Sequence, residues 1–204
     1  MSLTALGNVV KVFGMSRLAD MYGPLPYTRF GTGINVAYDS QEDVYKAFFA
    51  ELDDAIDVLT PLASAGATLM QDYDNVYDGS VKNWVKFANT LRLRLAIRVA
   101  YADAALAKTE AEKSINNVIG VIEAVDEHAE LLHSKLNYYH PNYDMQETFN
   151  AGEIRMSAAM DSYMNGYNDP RRTAYFKTAA DDGGYHGVRC GTGNISSKVS
   201  AYAG

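Results

Sequence analysis

Apolar side chains return every three or four residues in five stretches of this 204-residue chain, and each stretch reads as a helix. The most regular passes through Val44, Phe48, Leu52, Ile56 and Leu59. Ser40 and Asp43 stand ahead of it as a capping box, and Pro61 is its predicted stop. A longer stretch follows Ser80, with Trp84, Ala88, Leu91, Leu95, Val99 and Ala102 along one side. At about 100° per residue, Lys82 and Lys86 fall opposite that side, Arg92 and Arg94 flank it, and Arg98 lands within it. An arginine in such a place must be paired or must reach for water, so a carboxylate partner for Arg98 is predicted.

The remaining helices are less regular. Residues 3–22 carry Leu6, Val9, Val10, Phe13 and Leu18 at helical spacing, weakened by Gly7 and Gly14. Gly23, Pro24 and Pro26 then force the chain out of helical geometry. A fourth helix is predicted from a capping box at Thr109 and Glu112 through Ala111, Ile115, Val118, Ile119 and Ile122. A fifth gathers Ile154, Ala158, Met160, Tyr163 and Met164 before the break at Asn168-Asp169-Pro170. Residues 62–79, rich in Gly, Ala, Ser and Asp, read as a loop, and residues 128–152 have no period. From Tyr175 onward the glycines favour short strands or extended loops. The expected fold is all-α, with antiparallel helices stacked in pairs over 1–167 and an irregular segment over 168–204.

Composition narrows the function classes. The balance of 18 basic and 25 acidic residues gives a net charge of −7, which repels a phosphate backbone, so nucleic acid is not an expected partner. Cys190 is the sole cysteine, which rules out an intrachain disulfide framework. No apolar run approaches the roughly 18 residues of a membrane span, and no basic segment followed by an apolar one opens the chain. The final Ala201-Tyr202-Ala203-Gly204 carries no stop signal, so a piece of a longer protein is expected.

Candidate chemistry is sparse. The stretch Asp72-Tyr73-Asp74-Asn75-Val76-Tyr77-Asp78-Gly79 invites a calcium-loop reading, but counting from Asp74 puts Val76 at the third ligand position and Val85 at the twelfth. An acidic, flexible loop is expected instead. Glu51, Asp53, Asp54 and Asp57 crowd one helix face and are read as solvated, although an enzyme would seek its general acid there. The four histidines have neither i, i+4 pairing nor companion cysteines at zinc spacing, and no nucleophile or phosphate-loop motif is present. No metal and no cofactor are expected. Fifteen tyrosines are many for this length. A tyrosine joins a flat apolar face to a hydroxyl, which suits a sugar ring, and Tyr138, Tyr139 and Tyr143 cluster in the aperiodic segment as candidate ligand contacts. The competing reading makes them half-buried packing residues over the helix pairs.

The stretch Asp20-Met21-Tyr22-Gly23-Pro24-Leu25-Pro26-Tyr27 resembles the D-x-Y-G-x-x-P-Y signature of the SusD/RagB family of outer-membrane nutrient-binding lipoproteins. In family order come Tyr38-Asp39-Ser40-Gln41-Glu42, Glu51-Leu52-Asp53-Asp54-Ala55, Tyr77-Asp78-Gly79 and the block Trp84-Val85-Lys86-Phe87-Ala88-Asn89-Thr90-Leu91-Arg92-Leu93-Arg94-Leu95-Ala96. Asn168-Asp169-Pro170-Arg171-Arg172 with Tyr175-Phe176, then Gly183-Gly184-Tyr185, resemble its later elements. The resemblance implies tetratricopeptide-like helix pairs supporting a loop-rich C-terminal part, most of which this chain lacks. It further implies a non-enzymatic, lipid-anchored protein of the outer membrane and cell surface. Such a protein captures an oligosaccharide or other nutrient and passes it to a SusC-like TonB-dependent transporter; its only hold on the membrane is a lipid anchor absent from this chain. In that light Asp20, Pro24 and Pro26 form a scaffold corner, while Trp84 and Arg98 are structural. Ligand contacts vary across the family and none is carried over. The alternative is a helical scaffold for protein partners without a small-molecule site; a carbohydrate-processing enzyme working through Glu51 or Asp54 is a third.

Overall fold

A computed structural model describes residues 1–131, 141–143, 154–192 and 199–201. The helices are α1 (Ser2–Tyr22), α2 (Gln41–Ser64), α3 (Val81–Val99), α4 (Ala104–Ile115), the single turn α5 (Pro141–Tyr143), α6 (Ala158–Gly166) and α7 (Arg172–Tyr175). Among the described residues β-structure is limited to isolated bridges. The chain forms two compact units, Met1–Leu132 and His133–Gly204. The boundary drawn from sequence, between 167 and 168, falls inside the second unit, where α6 packs with the segment that follows it.

In the first unit α1, α2, α3 and α4 pack in succession as antiparallel neighbours. Tyr45 bonds Asp20 while Glu51 meets Lys11, so α1 runs down as α2 runs up; Arg92 on α3 reaches Asp53 on α2 and Ser114 on α4. The stripe predicted for α2 forms the centre of the core, with Val44, Phe48, Leu52, Ile56 and Leu59 buried. Ser40 caps this helix by accepting from the Asp43 amide at 3.1 Å.

Four expectations change. First, α1 buries Ala5, Val9, Val12, Ser16 and Ala19, whereas Val10, Phe13 and Leu18 are exposed. The buried set keeps strict helical spacing but is made of small residues, which allow α1 to lie close to α2, and a reading weighted toward bulky side chains overlooks it. Second, α2 continues through Pro61 to Ser64. The amide that proline lacks would have bonded the Asp57 carbonyl, and Asp57, Val58 and Pro61 all lie on the exposed face of the helix, where a lost backbone bond costs least. Third, α4 begins at Ala104, capped by Asp103, which accepts from the Leu106 amide at 2.9 Å. Thr109 lies inside the helix with its hydroxyl on the Ala105 carbonyl, so the Thr109/Glu112 start is overturned, and the helix ends at Ile115. Fourth, the loop at 65–80 is organised around one carboxylate. Asp74 accepts from the amides of Val76, Tyr77 and Gly79 and from the Trp84 indole at 2.7 Å. Gly79, at φ +83°, sits where an added Cβ would lie 2.9 Å from both the Gln71 Cα and the Leu69 carbonyl oxygen.

The second unit has a small core of Met156, Met164 and Phe176, with Tyr185 packed against it. Ser157 caps α6 by accepting from the Met160 amide, and bridges join Ser157 to Val188 and Arg155 to Ala201. Gly187 permits this closeness, because a Cβ there would stand 2.3 Å from the Ser157 carbonyl oxygen. Of the residues gathered into the fifth predicted helix, only Met164 is buried on α6; Ile154 precedes it, and Tyr163 is 67% exposed.

Candidate functional site

The corner between α1 and α2 shows what the two-proline stretch does. Gly23, at φ +75°, ends α1 with its amide on the Ala19 carbonyl, and Leu25 then pairs with Asp39 in an antiparallel bridge. The Asp39 carboxylate accepts from the amides of Tyr27 and Thr28 and from the Thr28 hydroxyl, and these bonds hold it below the usual carboxylate range. Tyr27 packs edge-on against Phe48 and donates its hydroxyl to Glu51 at 2.6 Å. Asp20 accepts from the Tyr45 hydroxyl at 2.5 Å and from Arg98 Nε at 3.3 Å. Burial and the adjoining Asp20 push the Tyr45 hydroxyl up to about 12. Asp20, Tyr45 and Arg98 thus line, with Gln41 and Leu106, a groove of about 440 Å³ at the helix ends. Its three carboxylates are engaged from within the protein: Asp20 by Tyr45 and Arg98, Glu42 by Lys46, and Asp103 by the Leu106 amide.

Arg98 has its carboxylate partner, but the pair lies at the surface with the arginine side chain 59% exposed. The interior guanidinium belongs to Arg92, 3% exposed, which donates to Asp53, to Ser114 at 3.0 Å and to Asn89 at 3.1 Å. Lys113 joins the same network through Asp53 and the buried Glu110. The acidic face of α2 is therefore divided: Glu51 and Asp53 are bound by Lys11, Tyr27, Arg92 and Lys113, while Asp54 and Asp57 face water. Trp84 is buried, edge-on to Tyr77 and Phe87. Among the described residues no group of three or more His, Cys, Asp or Glu could hold a metal ion, and no helix is long and apolar enough to cross a membrane.

Of the tyrosines expected to meet a ligand, Tyr138 and Tyr139 lie outside the described residues, and Tyr143 is exposed at the end of α5. A different pair stands out. Tyr163 and Tyr167, one turn apart at the end of α6, hold their rings within 14° of parallel with centroids 6.4 Å apart. Between them in sequence, Asn165 donates to the Tyr185 carbonyl and accepts from Arg172, whose guanidinium lies 4.6 Å from the centre of the Tyr185 ring. The following turn is closed by Asp169, which receives Arg171 Nε and its amide and is held down to about 2 by those bonds. The i, i+4 spacing of Tyr163 and Tyr167 is visible in the sequence, but the apolar residues gathered with Tyr163 in the fifth predicted helix mask it.

The sequence matches the SusD-like family, described as "Susd and RagB outer membrane lipoprotein", over residues 1–203. No curated protein matches. Among solved structures, a chitin-binding SusD homolog from Flavobacterium johnsoniae is 40% identical with a TM-score of 0.89, over 98% of this chain and 42% of that one. A SusD homolog from Bacteroides uniformis is 37% identical with a TM-score of 0.83, over 97% and 42%. One from Bacteroides vulgatus is 34% identical with a TM-score of 0.86, over 100% and 42%. The chain thus spans about two fifths of the length of the structures it matches. The expected architecture, tetratricopeptide-like helix pairs with an irregular C-terminal part, holds. The chain belongs to the SusD/RagB family of outer-membrane lipoproteins, proteins of the cell surface.

Proposed function

We propose that this chain is part of a cell-surface protein that captures glycan without covalent chemistry and delivers it to a SusC-like TonB-dependent transporter. The observation that carries the reading is the match at 40% identity, along nearly the whole chain, to a chitin-binding SusD homolog. In this reading the braced helices of the first unit are a frame, and the exposed tyrosines are the surface a sugar can meet. Tyr143, exposed on its short turn, stays a proposed contact together with Tyr138 and Tyr139. Oligomers of N-acetylglucosamine are the first ligands to test.

Native electrophoresis through gels cast with glycol chitin, amylopectin, xyloglucan or levan tests the proposal. Retardation in at least one gel, increasing with polysaccharide concentration, is the expected result. Unchanged mobility in all of them would favour a scaffold for protein partners. Co-purification of the lipidated protein with an outer-membrane barrel of the TonB-dependent class tests the delivery step, and purification free of any such barrel would count against it.

A further inference from the structure

Two aromatic rings at the C-terminal end of α6, Tyr163 and Tyr167, take no part in the core of their unit among the described residues. Met164 is the only buried residue of that helix and fills the core with Met156 and Phe176. Asn165 fastens the helix to Tyr185 and Arg172, and Asp161 accepts the Gly187 amide at 2.8 Å. Tyr163 and Tyr167 are left on the remaining side, 67% and 81% exposed. Among the described residues no hydrogen bond engages either hydroxyl, and the only ring contact of each is with the other. Two near-parallel aromatic faces in water add little to folding, since their apolar area is not removed from solvent.

We infer that the Tyr163–Tyr167 pair is a stacking site for consecutive sugar rings of a bound glycan chain. Each ring offers an apolar face to the CH side of a pyranose, and each free hydroxyl can bond the sugar's rim. The near-parallel setting lets one extended chain meet both rings. A side chain of two rotatable bonds, held by a helix anchored through Met164 and Asn165, loses little freedom on binding. The inference rests on the glycan-binding reading and gives it an address outside the segment singled out from sequence.

The test compares the full chain with Tyr163→Ala/Tyr167→Ala and Tyr163→Phe/Tyr167→Phe in affinity gels of the polysaccharide that retards the wild type most. The alanine pair is expected to weaken binding at least about tenfold, which is about 1.4 kcal/mol. The phenylalanine pair keeps the stacking faces and is expected to stay within about threefold of wild type. Both positions are exposed, so the melting temperature and circular dichroism of the alanine pair should match the parent; Tyr167→Ala alone serves should the double variant unfold. An alanine pair as tight as wild type, with glycan binding intact, overturns the inference while leaving the functional reading standing. A phenylalanine pair as weak as the alanine pair also overturns stacking. A wild type retarded by no polysaccharide overturns both.

Discussion

Asp74 gathers four hydrogen bonds at the start of α3. It accepts three backbone amides and the Trp84 indole, so its removal strands donors in a half-buried loop. Asp74→Ala is expected to cost about 2–4 kcal/mol in chemical denaturation, and a loss below about 0.5 kcal/mol would show the loop to be held by other means. Burial works to raise the Asp74 pKa, but the hydrogen bonds from Trp84 and the loop amides outweigh it, leaving a net depression. Glu127 is likewise held down to about 2, chiefly by the Glu123 amide and then by Lys86. A depressed carboxylate contributes stability that is complete above its unfolded value and is lost as pH falls through the folded one. The melting temperature should therefore be level near neutrality and fall from about pH 4 towards pH 2. Asp74→Asn, melted at pH 6 and pH 3, should show a smaller difference between the two than wild type does. Gly79 supplies a separate test. With φ at +83° and backbone 2.9 Å from any added Cβ, Gly79→Ala should destabilise by about 2 kcal/mol or more, and a neutral effect would mean that the turn is free to relax.

At the scale of elements, ion pairs differ in what they hold. The Arg92 guanidinium ties α3 to α2 through Asp53 and to α4 through Ser114, almost wholly out of water. Arg92→Ala is expected to cost about 3 kcal/mol, because Asp53, Asn89 and Ser114 lose a shared donor in the interior. Arg98→Ala breaks an exposed pair and should leave the melting temperature close to wild type. Equal losses in parallel melts of the two variants would contradict this division. The same contrast shows what periodicity could and could not reveal. Helical spacing located α2 and α3 and gave α2 its buried stripe, because their bulky side chains repeat on one face. It set Arg98 on the apolar stripe and Arg92 beside it, because helix rotation gives angles but not neighbours; Arg98 finds its carboxylate at the surface, and Arg92 is the buried one because Asp53 and Ser114 arrive from other helices. The Asp103 cap was hidden by a second, chemically acceptable start at Thr109. The small-residue stripe of α1 was hidden by bulkier residues beside it.

At the scale of the molecule, kinship was legible from motifs whose physical roles are now plain. Asp20 and Tyr27 of the corner stretch bond Tyr45 and Glu51 on α2, and the tryptophan block builds the interior of α3. Those residues secure a frame, and a frame does not name its ligand. The proposed ligand contacts are harder to read, since exposed tyrosines outside a stripe look alike in sequence. Tyr163 and Tyr167 stand apart because Met164 and Asn165 anchor α6 without them. Isothermal titration of the chain with N-acetylglucosamine oligomers and with oligosaccharides of starch, xyloglucan and levan tests the central claim most directly. Saturable heat with at least one of them is the predicted result, and the absence of heat with every one would contradict the account.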